Sequence, residues 1–501
     1  MLLGLGYCFP LPICNFTAFL PLLHALETPG AAGLRARLRV GFVFGLVTHL
    51  ISLHFLYVLL GWTWLVALLY VSFAGALALR IAAGVAVLGW LRRRTALPMG
   101  LLLPASWIPL EWLQAFGDLR MTGEHLAHTL ARYPFLVQFA DLGGHYAVGA
   151  FLLAMNGLLY DAVVGWGRPP GRRALVCLGL LLTAVLAYDS WCWLRSDAPA
   201  ATLRVGLVQP NVPLEVKSDA ERTALDQWQA LADLSSAAAA QGARVIVWPE
   251  TARPQPLYHR LDRPETYVLP EVQALARRLH AAIVTGVEYV RVRDTQHYDL
   301  FNAAMAVDAE GGLDAAWGAK VYLVPFTEAM PFRGLLEPLI AGRGGGWAWL
   351  QGGFTPGPAD ALLDVAGARV GALVCYEQMF PDLPRALRRA GAQFQVVLTN
   401  DAWFGRSLFQ RYNADVLRLR AIENRTEFVR AANTGISGFV DDKGRYHQRT
   451  ALFERAVEVR DVRLTARRTL YDRWGDLVVG ACWAALGAAL WLALRNPARN
   501  A

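Results

Sequence analysis

Long apolar stretches occupy the first 200 residues and the last 30. Residues 40–79 contain no Asp, Glu, Lys or Arg, and this stretch is broken near Gly61. Because a helix needs about 20 apolar residues to cross a bilayer, the stretch predicts two membrane spans joined by a turn. Shorter uncharged runs predict further spans at residues 96–110, 142–160, 174–188 and 477–494. Together with the apolar, proline-broken first 26 residues, the pattern predicts an α-helical transmembrane bundle of about seven or eight spans.

The middle of the chain has a different pattern, in which short β-rich runs alternate with stretches of helical spacing. The predicted strands are residues 203–209, 245–248, 282–290, 303–308, 370–376, 395–399 and 428–432. The predicted helices are residues 219–241, 271–280, 383–391 and 410–424. Strands that alternate with helices are typical of a layered α/β domain. We therefore expect a membrane bundle over 1–200, an α/β domain over 201–470 and a final membrane helix over 471–501.

Arginine clusters flank the predicted spans and indicate their orientation. They comprise Arg35, Arg37 and Arg39; Arg92, Arg93 and Arg94; Arg168, Arg172 and Arg173; and Arg495 and Arg499. Counting crossings puts all four clusters on one side of the membrane, which the positive-inside rule assigns to the cytoplasm. The α/β domain is then expected on the outer side. The net charge of +8 follows from this topology, so it does not indicate nucleic-acid binding.

Three reactive side chains are placed where predicted strands end. Glu250 follows an apolar strand and Pro249, Cys375 lies at the end of another strand, and Lys320 lies between them in the chain. Taken singly, each has an ordinary structural interpretation: a solvated carboxylate, a small buried hydrophobe and a surface ammonium. Together they suggest chemistry, because Glu250 can act as general base, while Lys320 can lower the thiol pKa and hold an oxyanion. Cys375 is the only Cys of the middle region, and Lys320 is one of only three Lys in the chain.

The motifs around these residues resemble those of a known superfamily. They are Trp-Pro-Glu at 248–250, Lys320 with Val-Pro-Phe-Thr-Glu at 324–328, Cys-Tyr-Glu at 375–377 and Asn-Asp-Ala-Trp-Phe-Gly at 400–405. In order and spacing they are similar to the Glu-Lys-Cys triad region of the nitrilase superfamily, whose fold is an αββα sandwich. With membrane spans on both sides, the whole chain resembles the apolipoprotein N-acyltransferases.

This resemblance implies a function and a set of site residues. The enzyme would take an acyl chain from a membrane phospholipid as a thioester and pass it to the diacylglyceryl-modified N-terminal cysteine of an apolipoprotein, in a ping-pong reaction. The implied roles are Glu250 as base, Lys320 as oxyanion stabiliser, Cys375 as nucleophile, Glu328 as support for the lysine, and Tyr376, Glu377 and Trp403 as shaping or substrate-binding residues. It further implies a monomer in the bacterial inner membrane, with the catalytic domain on the periplasmic face and with no cofactor or metal.

Two other functions fit parts of the pattern. A membrane-anchored nitrilase-type amidase would use the same triad with water as acceptor, and a catalytically silent scaffold would keep only the fold. The extensive membrane portion argues against the amidase, and the complete triad argues against the scaffold.

Further features concern the edges of the site and the histidines. A glycine-rich stretch at 342–347, followed by Trp349, suggests a lid at the membrane interface or else a plain surface loop. Ser218 after Lys217 departs from the family pattern, which usually has an aromatic residue there. His125 and His128 are expected at the surface beside the membrane.

Overall fold

The computed structural model describes residues 1–61, 64–196, 200–213, 220–295, 297–335 and 353–495. The predicted features at Lys217 and Ser218 and in the stretch from 342 to Trp349 lie outside these residues. The first part of the chain is helical. Its helices are α1 (Leu2–Cys8), α2 (Pro12–Thr17), α3 (Leu20–Glu27), α4 (Leu34–Ser52), α5 (Leu65–Arg94), α6 (Met99–Leu113), α7 (Ala140–Val164) and α8 (Pro169–Leu194).

Prolines explain why the first 27 residues form three short helices. Pro12 opens α2, and Pro21 lies in the first turn of α3. Proline is tolerated in the first turn of a helix and kinks or breaks one in its interior, because it lacks the N–H that a continuing helix needs. The break predicted near Gly61 is longer than a tight turn, since a 3₁₀ segment, His54–Gly61, connects α4 toward α5.

The middle region is a two-sheet sandwich. Its strands are β1 (Thr202–Gln209), β2 (Val245–Val247), β3 (Leu257–Arg260), β4 (Ala282–Val292), β5 (Tyr298–Val307), β6 (Leu313–Ala319), β7 (Leu362–Val365), β8 (Ala368–Val374), β9 (Phe394–Thr399), β10 (Phe428–Ala432), β11 (Gly438–Val440), β12 (Tyr446–His447) and β13 (Ala456–Arg463). One sheet has the order β13-β1-β2-β4-β5-β6 with β3 beside β4, and the other has the order β12-β11-β10-β9-β8-β7.

Helices cover both outer faces of the sandwich. They are α9 (Ala220–Ala240), α10 (Pro270–Leu279), α11 (Asp382–Ala390) and α12 (Phe409–Asn424). The inner faces share one buried cluster, in which Val247 of the first sheet packs with Val370 and Phe394 of the second. Leu275 of α10 packs on the first sheet and Leu417 of α12 on the second. The predicted αββα architecture is therefore confirmed.

Strand direction brings three chain segments to one edge of the sandwich. In the first sheet β2 runs parallel to β4, while β5 is antiparallel to both β4 and β6, so β2, β4 and β6 end at the same edge. In the second sheet β8 runs parallel to β9. The residues that follow β2, β6 and β8 include Glu250, Lys320 and Cys375.

The chain returns to the bundle after the sandwich, through the short helix α13 (Leu470–Trp474) and the apolar α14 (Leu477–Arg495). Among the described helices, four have the length and hydropathy of membrane spans, namely Val66–Arg94 within α5, together with α7, α8 and α14. Helix α14 packs against α6, so residues from both ends of the chain build one bundle.

Buried polar contacts join the bundle to the sandwich. Arg425, at the end of α12, is 1% exposed and forms an ion pair of 2.8 Å with Asp141 of α7. The Arg425 guanidinium also donates to the Gln138 side-chain oxygen at 2.7 Å. Since an unpaired buried charge is costly, this pair fixes how α12 sits on the bundle.

His125 and His128 are not at the surface, and that expectation was wrong. They are 0% and 2% exposed, and His125 lies 3.0 Å from the buried His145 of α7, measured between Nδ1 and Nε2. The reason is that the 3₁₀ turn Leu126–Leu130 folds inward, where the Leu126 amide donates to the Glu111 carboxylate of α6 at 2.9 Å.

We predict that Gly144→Ala destabilises the protein. Gly144 has φ +70°, and a Cβ there would lie 2.4 Å from Cε2 of the buried Tyr471 in α13. Backbone strain in this region costs roughly 1–3 kcal/mol before the clash is added. Thermal unfolding in detergent should show a clearly lower midpoint. The control is Gly179→Ala in α8, where no atom lies within 4 Å of the added Cβ; equal midpoints for the two variants would contradict the prediction.

Candidate active site

Cys375 begins a 3₁₀ turn, Cys375–Met379, directly after β8. Its φ is +59°, which is unusual for a residue other than glycine. Such a conformation persists only where the surroundings enforce it, and it occurs often at functional sites. Neighbouring residues must therefore hold this turn in place.

Glu377 ties the Cys375 turn to the segment after Lys320. Its Oε2 accepts from the Val374 amide at 2.7 Å, and its Oε1 accepts from the amides of Val321 and Tyr322 at 2.6 and 3.1 Å. Burial raises the pKa of the Glu377 carboxyl to about 7, although these amide donors oppose the shift. One carboxylate thus sets the separation of two loops.

Lys320 is buried between two carboxylates. Its side chain is 1% exposed, and Nζ lies 2.8 Å from Oε1 of Glu328 and 3.6 Å from Oε1 of Glu250. Burial alone would lower the pKa of Lys320, but the surrounding Cys375, Glu250 and Glu328 raise it well above its usual value. The side chain therefore stays an ammonium, and the interpretation of Lys320 as a surface charge is excluded.

Two asparagines orient the carboxylates. The Asn302 side-chain amide donates to Glu250 at 2.8 Å and to Glu328 at 3.4 Å. The other oxygen of Glu250 accepts from the backbone amide of Asn400, which follows β9, at 2.8 Å. Glu328 also accepts from the Val324 amide at 2.9 Å. Both carboxylates are thus fixed by donors other than Lys320.

The surroundings of the Cys375 thiol act on its pKa in opposite directions. Burial raises its pKa, the negative charge of Glu250 raises it further, and Lys320 opposes them, so that the pKa is well above its usual value. Lys320 lowers the thiol pKa, as expected from the sequence, but the effects of burial and Glu250 are larger. A partly buried thiol beside a carboxylate and an ammonium suits proton transfer to the carboxylate during attack.

Tyr376 and Trp403 lie around this cluster. The Tyr376 ring centroid is 5.4 Å from Nζ of Lys320, and its hydroxyl donates to the Leu323 carbonyl at 3.0 Å. Trp403 is 44% exposed, on the turn after β9. Its neighbour Phe404 packs edge-on against Phe55 of the bundle, with centroids 5.6 Å apart. Within the described part of the chain, no group of three or more His, Cys, Asp or Glu side chains is arranged to hold a metal ion.

Asn302 was not among the residues singled out from the sequence, yet it contacts both carboxylates. It had a detectable signal, since it is a polar residue within the otherwise apolar end of β5, Phe-Asn-Ala-Ala-Met at 301–305. A buried polar side chain in a strand needs a partner. The sequence alone does not say which partner that is.

The fold and the cluster define a carbon-nitrogen hydrolase type of domain attached to a membrane bundle. The carbon-nitrogen hydrolase family model matches residues 204–489, and the apolipoprotein N-acyltransferase N-terminal domain matches residues 1–158. The chain belongs to the apolipoprotein N-acyltransferase family.

Two relatives identified by sequence agree with this assignment. The chain is 32% identical over 510 residues to an apolipoprotein N-acyltransferase of Geobacter metallireducens, an alignment that covers 98% of this chain and 94% of the relative. It is 30% identical to the protein of that name from Chlorobaculum tepidum, over 79% of this chain and 76% of the relative. Among solved structures, an amidase from Nesterenkonia sp. matches 57% of this chain and 98% of its own, with 20% identity and a TM-score of 0.37.

We predict that Asn302→Leu slows acylation of Cys375 by about 100-fold, because misplacing a reacting group by about 1 Å can cost that much. The rate can be followed by mass spectrometry of the intact protein. The matched control is Asn156→Leu, which removes a buried bundle asparagine whose amide donates to the Asn15 and Leu152 carbonyls. That variant should lose stability but acylate at nearly the wild-type rate below its unfolding temperature. Equal rates for both variants would show that Asn302 has only a structural role.

Proposed function

We propose that this protein transfers an acyl chain from a membrane phospholipid to the α-amino group of the diacylglyceryl-modified cysteine that begins an apolipoprotein. The observation that carries the proposal is the buried ammonium of Lys320, which lies between Glu250 and Glu328 beside the Cys375 turn. The family assignment supports the same reaction.

In the first half-reaction, Sγ of Cys375 attacks the ester carbonyl of the phospholipid. Glu250 takes the thiol proton as the C–S bond forms, and the Lys320 ammonium stabilises the negative charge that develops on the carbonyl oxygen. The C–O bond then breaks, and Glu250 returns the proton to the departing glycerol oxygen. The products are a lyso-phospholipid and a thioester on Cys375.

In the second half-reaction, the apolipoprotein amine attacks the thioester. The C–N bond forms, the C–S bond breaks, and Glu250 carries a proton from the amine to the departing sulfur. A thioester is reactive enough toward an amine to make this step favourable. Because the first product leaves before the acceptor reacts, the kinetics are ping-pong.

The remaining site residues have supporting roles in this proposal. Glu328 holds the Lys320 ammonium through their 2.8 Å contact, and Glu377 sets the Cys375 turn. Tyr376 presents its ring to the lysine, and the exposed Trp403 contributes to binding the substrates. We propose that one monomer suffices, since all these groups come from one chain.

We also propose the membrane arrangement. The protein has about seven or eight spans in the bacterial inner membrane, with the division at residues 1–200, 201–470 and 471–501 and the catalytic domain on the periplasmic face. The run of helix α5 supports this orientation: Phe73, near its start, packs in a cluster with Phe404 of the sandwich, whereas its end carries Arg92, Arg93 and Arg94. The arginine-rich end thus points away from the sandwich, as the positive-inside rule requires.

Acyl transfer is supported over the amidase and scaffold alternatives. Relatives named as apolipoprotein N-acyltransferases align with most of the chain, including its membrane portion. An amidase acting on soluble amides has no need for such a bundle, and a scaffold has no need for a buried, paired Lys320.

We predict that the wild-type protein, given phospholipid without an acceptor, releases about one lyso-phospholipid per enzyme and then stalls as the thioester. Cys375→Ser should release almost none, because a hydroxyl is far less acidic than a thiol. Lyso-lipid release and the acyl adduct can be measured by mass spectrometry. Continued release without an acceptor would indicate a hydrolase, and an active Ser variant would exclude the thioester.

We predict that reporter fusions will place the arginine clusters in the cytoplasm and the α/β domain outside. A reporter that is active only in the cytoplasm should work after residue 501 and after Arg94, while one active only outside should work near residue 219. The opposite pattern would overturn the orientation and with it access to periplasmic apolipoproteins.

A further inference from the structure

A second cationic group lies at the side of the site that meets the bundle. Arg120 belongs to the segment between α6 and α7, and its Cζ is 4.4 Å from the ring centroid of Tyr322. Two residues later, the Thr122 hydroxyl donates to the Met379 carbonyl at 2.9 Å, at the end of the Cys375 turn. The segment therefore runs along the boundary between the bundle and the proposed active site.

The Arg120 guanidinium is held in place but not neutralised. Its Nε donates to the Gly117 carbonyl at 2.9 Å, and the ring of Tyr322 supports its face. Among the described residues, no carboxylate forms an ion pair with it. The nearby Asp382 carboxylate accepts instead from the Tyr322 hydroxyl. The two terminal nitrogens of Arg120 thus remain as donors for something outside the described chain.

A short series of contacts connects Arg120 to the Cys375 turn. The Tyr322 ring packs against Phe380 at 4.5 Å, and Phe380 packs edge-on against Tyr376 at 5.2 Å. The Tyr322 amide also donates to Glu377 at 3.1 Å. Arg120 is therefore separated from the Cys375 turn by little more than one aromatic layer.

We propose that Arg120 binds the phosphodiester of the donor phospholipid while its ester carbonyl lies at Cys375. This inference rests on the proposed function. The phosphate and the reacting ester are attached to one glycerol, so the phosphate must lie only a few bonds from the thiol. A guanidinium suits this position because it donates two parallel hydrogen bonds to phosphate oxygens and is weakly hydrated. Arg120 then positions the donor and selects phospholipids over neutral glycerides.

The test compares donors with and without phosphate under single-turnover conditions. Full-length enzyme in neutral detergent is mixed with phosphatidylglycerol or with diacylglycerol of the same acyl chains, and the acyl adduct on Cys375 is followed by mass spectrometry. The variants are Arg120→Gln, Arg120→Lys and the control Arg94→Gln. Arg94 is stacked similarly, 5.1 Å over the Trp90 ring, but at the other end of α5.

Arg120→Gln should slow acylation from phosphatidylglycerol by roughly 10-fold or more, because it removes charge-assisted hydrogen bonds. The rate from diacylglycerol should not change. Arg120→Lys should recover part of the loss, and Arg94→Gln should match the wild type with both donors. Equal loss on both donors, or no loss, would overturn the proposal, since Arg120 would then only support the loop or have no role.

Two further outcomes are distinguishable. Inorganic phosphate at millimolar concentration should not change the diacylglycerol rate; a change in the wild type that Arg120→Gln abolishes would mean that the site takes free phosphate rather than the lipid, which overturns the assignment. If the wild type forms no acyl adduct from any donor, the proposed function itself fails. This result differs from failure of the Arg120 proposal, which would appear only in the comparison of variants with the wild type.

Discussion

The site depends on the need to keep one buried ammonium paired. Taking a lysine out of water is costly unless opposite charges and hydrogen bonds replace the solvent. Lys320 meets this requirement with Glu328 and Glu250. Because those carboxylates would repel each other, Asn302 donates to both and keeps them apart in fixed positions. The arrangement therefore involves a residue outside the triad, since Asn302 contacts both carboxylates that pair with Lys320.

The same requirement operates where the sandwich meets the bundle. Arg425 pairs with Asp141 across that boundary, and Arg132 of the bundle pairs with Asp415 of α12 at 3.0 Å. Lys443 donates to the carbonyls of Trp193 and Arg195 at the end of α8. Apolar packing could bury these surfaces in several orientations, whereas directional polar contacts select one. The site edge is thereby held at a fixed position relative to the helices of the bundle.

The sequence was most informative about features that depend on a local pattern of apolar and polar residues. Strand and helix positions in the sandwich can be predicted from short apolar runs. Because the reactive residues lie at or after strand ends, Glu250, Lys320 and Cys375 could be named as candidates from the sequence alone. Long-range partners could not. Asn302 looks like one polar residue in a strand until its two carboxylates are known, and His125 and His128 look like surface residues until the 3₁₀ turn Leu126–Leu130 carries them inward.

Burial raises the pKa of the Cys375 thiol, and the negative charge of Glu250 raises it further. In the proposed reaction the thiol loses its proton to Glu250 as the sulfur attacks the carbonyl. The Glu250 carboxylate that receives the proton is already oriented by Asn302 and the Asn400 amide. Both proposed substrates carry lipid chains, so in the proposed reaction the carbonyl would arrive with its own apolar chain and displace solvent. A buried site and lipid substrates would thus both serve to keep water away from the reacting carbonyl.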